Sequence, residues 1–209
     1  DVRNTEDEVK SIRGQEAEQA FLGFVAKKTN TILLKAIDEG RADESWTMLL
    51  NALPIGGSTW KRLKSVQEQW LMSETRKEEI LCRGLHISNA WGNAGFDILG
   101  LDNDDGNVNV VRYECKALQK RSTQFRLFIS RNELNVARNI LCELGANKEI
   151  AEHHKGGSWN LIGVLPKGQD AINLTSDLKP LLEKWDESIG KLHKDGIVPD
   201  GIIWTRRWD

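Results

Sequence analysis

Apolar residues in the first 72 positions recur at three- and four-residue intervals among charges, the period of helices that bury one face. Over residues 6–37 this spacing, carried by Ala20, Phe21, Phe24, Val25, Leu33 and Leu34, predicts two helices. Residues 44–53 predict another, stopped by Pro54. After the Ile55-Gly56-Gly57 turn, Ser58 stands as an N-cap for a helix carrying Trp60, Leu63, Val66 and Trp70. Thr75 with Glu78 three residues later has the form of a capping box, and the helix that follows runs through Ile80, Leu81 and Cys82 to a stop at Gly84.

The period then changes. Residues 96–101 and 107–117 read as strands joined by Asp102-Asn103-Asp104-Asp105-Gly106, a cluster of turn formers, and so predict a hairpin. A third strand over 125–130 leads directly into a helix with Leu134, Ala137, Ile140 and Leu141 on its apolar side. A strand over 159–164, a helix over 176–189 and a short strand over 201–204 complete the pattern. The change in character divides the chain into a helical region, 1–73, and a mixed α/β region, 74–209.

The composition, 39% hydrophobic and 29% charged over 209 residues, is that of a globular chain. Its apolar runs fall far short of the roughly 20 residues that cross a bilayer. Three scattered cysteines, Cys82, Cys115 and Cys142, form neither a disulfide framework nor a zinc motif and fit a reducing compartment, the cytoplasm. The start at Asp1 suggests a piece of something longer. A net charge of -2 carries no signal for nucleic acid, but between Arg112 and Arg138 seven basic residues face only Glu114 and Glu133. Eight of the fourteen aromatic residues are tryptophan, expected mostly as core anchors.

Alternation along the second strand sends Val111, Tyr113, Cys115 and Ala117 to one face and Arg112, Glu114 and Lys116 to the other. Glu114 and Lys116 thus project together from one rigid element. The plainer reading is a solvated sheet face with cross-strand ion pairs. The hairpin, however, brings Asp97 of the preceding strand towards Glu114, and two carboxylates with water and phosphate oxygens suit Mg²⁺. A phosphodiester attacked by water needs an activated nucleophile and a neutralised transition state, which a metal with a nearby lysine supplies.

With Asp97, Glu114-Cys115-Lys116 and an acidic helix upstream, the chain resembles the PD-(D/E)xK phosphodiesterase superfamily of restriction and repair nucleases. Gly95-Phe96-Asp97-Ile98, the Asp/Gly turn, Arg112-Tyr113-Glu114-Cys115-Lys116 and Ser130-Arg131-Asn132-Glu133-Leu134 are similar, within it, to the domain at the C-terminus of NO VEIN-type proteins. The similarity covers about residues 74–165. It departs from the superfamily in lacking the proline before Asp97 and in placing cysteine inside E-x-K. The resemblance implies a restriction-endonuclease-like mixed sheet flanked by helices, here with a helical N-terminal region. It also implies a Mg²⁺-dependent deoxyribonuclease of a restriction or defence system, with Mn²⁺ able to substitute. Asp97, Glu114 and the backbone carbonyl of Cys115 would hold the metal, and Lys116 would orient or deprotonate the water. An acid on the first helix would face the site. Glu78, aligned with Leu81, Cys82 and Leu85, is chosen over Glu79, which aligns with Arg76 and Arg83.

Lys120, Arg121 and Arg126, close after Lys116, are the expected phosphate contacts. Trp60-Lys61-Arg62-Leu63-Lys64 offers a second basic face, although an ordinary amphipathic helix explains it better. The acidic turn fails as a calcium loop, since aligning Gly106 with the loop glycine puts Leu101 and Arg112 at ligand positions. His153 and His154 lack a third ligand at metal-site spacing. Expected partners are DNA and further domains or subunits of a larger protein, with a homodimer compatible and no membrane. The alternatives are a non-catalytic reader of modified DNA and a domain that recruits a helicase or methyltransferase.

Overall fold

Residues 2–38 contain no proline, and the apolar spacing runs on without a break. In the computed structural model the region predicted as two helices is therefore a single one, α1 (Val2–Asp38). The structure describes residues 2–92, 94–118, 124–141, 157–165, 170–182, 184 and 201–207. Two shorter helices follow, α2 (Ala42–Asn51) and α3 (Ser58–Met72), both amphipathic as the spacing predicts. The N-cap of α3 is Gly57 rather than Ser58. Helix α4 (Lys77–Leu85) begins after Arg76, whose left-handed φ of 61° turns the chain into the helix. That turn takes the N-cap position from Thr75, and no side chain caps the helix, so the predicted capping box does not form.

Strands β1 (Ile98–Asp104) and β2 (Asn107–Ala117) form the predicted hairpin, with a tighter turn than the five-residue cluster implied. Only Asp105 and Gly106 lie outside the ladder. Their φ values of 48° and 86° are the pair of left-handed residues that a two-residue hairpin with the natural strand twist requires. Strand β4 (Ser158–Val164) pairs parallel to β2, and β5 (Ala171–Asn173) antiparallel to β4, giving a mixed four-stranded sheet in the order β1-β2-β4-β5. Strand β3 (Gln124–Ser130) runs straight into α5 (Arg131–Leu141), as predicted. It pairs with β6 (Gly201–Arg207) in a separate two-stranded ribbon. A sixth helix, α6, spans 175–182.

Helix α1 crosses one face of the β1–β2 hairpin. Phe21 meets Tyr113 edge-to-face with ring centroids 5.2 Å apart, and the Thr29 hydroxyl accepts the Leu101 N–H of edge strand β1 at 3.1 Å. Helix α5 covers the opposite face and packs against β4. Its close approach needs Gly95, at φ +74°, where a Cβ would stand 2.5 Å from Val136 Cγ2. Buried side chains of α1–α3 and of the sheet belong to one continuous core, in which Trp46, Trp70 and Trp159 are fully buried, in line with the expected role of tryptophan. Among the described residues no helix is long and apolar enough to cross a membrane.

Candidate active site

The β2 alternation predicts one core face and one open face, but in the structure both are covered. Arg112 is completely buried, against Phe96, and Glu114 retains only 4% of its exposure. A solvated sheet face with surface ion pairs is thereby excluded for these positions. The reason is non-local: β4 flanks β2 on one side, and α5 lies over the Arg112-Glu114-Lys116 face.

Register brings Asp97 to Glu114. Ile98 pairs with Tyr113, so Asp97, one step earlier, adjoins Glu114, and its N–H donates to the Tyr113 carbonyl at 2.8 Å. The Asp97 carboxylate extends the ladder by one further bond, accepting the Cys115 N–H at Oδ2, 2.8 Å away. Lys116 Nζ lies 2.6 Å from Glu114 Oε1 and 3.0 Å from Glu133 Oε2. Asp97, Glu114 and Glu133 line one cleft of about 300 Å³, together with Ser88 and with Arg131 and Asn132 of α5. The structure thus gathers Asp97, Glu114, Cys115 and Lys116.

The cleft is rich in carboxyl groups. Burial, followed by the nearby Glu18, pushes the Asp97 carboxyl up to about 7 against the opposing pull of the Cys115 N–H and Lys116. Burial likewise raises Glu114 well above the carboxylate range, with Asp97 and Glu133 adding to the rise and Lys116 opposing it. Burial works against the charge on Lys116, but Glu114 and Glu133 outweigh it and hold the ammonium well above its usual range. The Cys115 thiol is pushed up by burial, with Asp97 and Glu114 adding to the rise. Several carboxylates therefore share one lysine in a place poor in water, an imbalance that a divalent cation relieves. Among the described residues no three ligand side chains are already clustered for a metal. An ion that takes one or two carboxylates and keeps several waters fits the arrangement better than one needing a closed protein cage.

Two acids missing from the sequence-based set contribute. Glu18 of α1 accepts from the Ser88 hydroxyl at 2.9 Å and meets His86 Nε2 at 2.8 Å. The other ring nitrogen of His86 receives the amides of Asn89 and Gln19 at 2.8 and 3.2 Å, so in this arrangement Nε2 carries the hydrogen and donates to Glu18. Nothing local distinguishes Glu18 from the other acids of a long charged helix. Glu133 does carry a local signal, Ser130-x-x-Glu133, and here the capping box forms: the Ser130 N–H donates to Glu133 Oε2 at 2.9 Å, and the Glu133 N–H to Ser130 Oγ at 3.3 Å.

Glu78 is not among the residues that line the cleft. Glu78 is exposed in the first turn of α4, and Glu79 pairs with Arg76. The helix-borne acids whose charge reaches Asp97 are Glu18 of α1 and, more weakly, Glu133 of α5. Lys120, Arg121, Cys142, His153 and His154 lie outside the described residues, as does the side chain of Arg126, whose backbone pairs with Thr205 in the β3–β6 ribbon. Arg112, counted in the basic stretch, is buried, whereas Arg131 is exposed at the cleft. Arg62 is half-buried and donates to the His86 carbonyl, and Leu63 is fully buried, so this stretch behaves as an amphipathic helix. Cys82 and Cys115 are free thiols. Comparison of the chain with protein-family models, with curated proteins and with solved structures found no match.

Proposed function

We propose that the chain is a metal-dependent DNA endonuclease of the PD-(D/E)xK type, the nuclease part of a larger restriction or defence protein. The observation that carries this reading is the meeting of Asp97 and Glu114 in one cleft, with Glu114 buried on a central strand and Lys116 Nζ 2.6 Å from its Oε1. A buried acid costs several kcal/mol unless something compensates it. The single lysine shared between Glu114 and Glu133 leaves room for a second cation.

In this reading Asp97 and Glu114 hold Mg²⁺, with Mn²⁺ able to replace it and the Cys115 carbonyl available as a further oxygen. When bound, the ion supplies Lewis acidity towards the scissile phosphate and an acidified water. The protein does the rest. The Cys115 N–H fixes the Asp97 carboxylate, and β2 holds Glu114 and Lys116 in constant relation. Lys116, held beside Glu114 and Glu133, would orient or deprotonate the water and offset charge on the phosphorane-like transition state. Arg131 at the cleft, with Lys120, Arg121 and Arg126 near it in sequence, provides cations for the DNA backbone.

The test is single-turnover cleavage of plain and base-modified duplex DNA with Mg²⁺, with Mn²⁺ and with chelator. Metal-dependent scission is expected. DNA binding that is unchanged by chelator and never leads to cleavage would overturn the proposal in favour of a reader.

A further inference from the structure

The contact between Lys116 and Glu114 creates a conflict within the proposed site. An ammonium 2.6 Å from Glu114 Oε1 occupies an oxygen that a divalent ion also needs, so the two cations compete for one carboxylate. If Glu114 were the lysine's sole acceptor, metal binding would leave a half-buried ammonium without a partner. Glu133 supplies the second acceptor, at 3.0 Å, from a different element.

Glu133 does not depend on Lys116 for its position. It is the third residue of α5, and its Oε2 takes the Ser130 N–H while its own N–H is bound by Ser130 Oγ. The reciprocal cap ties the carboxylate to the start of the helix. The same oxygen, Oε2, receives both Ser130 and Lys116. We propose that Glu133 is a positioning residue that retains Lys116 in the cleft when Glu114 passes from the lysine to a divalent cation. The inference rests on the metal-binding reading of Asp97 and Glu114.

A double-mutant cycle on Mn²⁺ affinity, measured by titration calorimetry on the whole chain without DNA, tests it. Glu133→Gln keeps an oxygen for the cap but makes Glu114 the lysine's only carboxylate, and should weaken Mn²⁺ binding about tenfold, the worth of one charge-assisted contact. Lys116→Met removes the competitor and should tighten it. In the Lys116→Met background, Glu133→Gln should change affinity less than about twofold, because its effect passes through the lysine. Ser130→Ala, which disturbs only the cap, should leave affinity within about twofold.

Equal weakening by Glu133→Gln in both backgrounds would show a plain through-space charge effect and overturn the inference alone. A loss with Ser130→Ala as large as with Glu133→Gln would also overturn it, by assigning the effect to the helix start. Failure of the parent to bind Mn²⁺ would overturn both this inference and the metal-dependent reading. Should Glu133→Gln not fold, nitrogen-15 NMR of the lysine ammonium groups in the parent decides the question. The Lys116 signal should stay protected from solvent exchange at saturating Mg²⁺, and its loss into fast exchange would refute the retention role.

Discussion

The β1–β2 hairpin carries acids at both ends, and the two ends behave in opposite ways. At the turn, Asp104 and Asp105 are exposed, and Asp102 pairs with Lys28 of α1 at 2.6 Å with about a third of each side chain open to water. At the other end Glu114 is buried and Asp97 half-buried, and desolvation pushes both carboxyl groups well above ordinary values. The turn has more acids, yet the carboxyl groups shifted by burial are at the other end. Dielectric surroundings, not the count of carboxylates, decide which group is reactive, because water screens and hydrates a surface carboxylate whatever its neighbours.

On the proposed reading of the site, the largest expected contrast is in cleavage. Lys116→Ala should lower the single-turnover rate by about 10²- to 10³-fold with little loss of DNA affinity, since the contact acts mainly in the transition state. Asp97→Ala should remove activity through loss of the metal. Asp104→Ala and Asp105→Ala at the far end should leave the rate within about twofold, and a large loss from either would break the comparison.

The pH dependence of stability comes next. Asp97 titrates near 7 in the folded chain, against about 3.9 when unfolded. Below about pH 4 both states hold the proton. Between about 4 and 7 the unfolded chain releases it while the folded chain keeps it, so metal-free stability should fall as pH rises through this window, on the order of a few kcal/mol. Raised Glu114 acts in the same direction. Asp97→Asn, which can still accept the Cys115 N–H, should flatten the slope. Millimolar Mg²⁺ at pH 8 should raise the melting temperature of the parent by binding only the folded state. Urea denaturation across pH 4–8 checks the slope, and thermal unfolding at pH 8 with and without Mg²⁺ checks the shift.

Glycines at the two ends extend the comparison to packing. Both have positive φ, but a Cβ at Gly95 would strike Val136 whereas one at Gly106 would enter open space. Gly95→Ala should cost about 2–4 kcal/mol, combining backbone strain with overpacking, and Gly106→Ala about 1 kcal/mol from strain alone. Similar costs, measured by urea denaturation, would contradict the close approach of α5. The smallest effect should be that of Lys28→Ala, which removes a half-exposed ion pair and should cost less than about 1 kcal/mol.

Much of the local structure was legible in advance. The period change after residue 72, the hairpin, the strand that runs into α5 and the shared face of Glu114 and Lys116 all follow from patterns within about a dozen residues, where side-chain direction is tied to backbone period. Local pattern misled where two signals competed. Thr75-x-x-Glu78 and Ser130-x-x-Glu133 have the same capping form, but Arg76 takes a left-handed turn at the first, and only the second closes. The choice of Glu78 as the helix-borne acid rested on helical phase alone, and phase identifies neighbours on one helix rather than what lies across the fold.

The sequence by itself determined which residues share a face: two-residue alternation put Glu114 beside Lys116, and a hairpin turn built on Asp105 and Gly106 put Asp97 at the end of the next strand. Only the tertiary structure decided what covers that face. Glu18 arrives from a helix some eighty residues earlier and Glu133 from one nearly twenty residues later, while β4 enters parallel to β2 from beyond residue 157. Burial depends on which distant segments pack over a side chain, and the charge state of Asp97, Glu114 and Lys116 depends on burial. The pairing of residues was therefore written in short-range periodicity, and their electrostatics only in the assembled core.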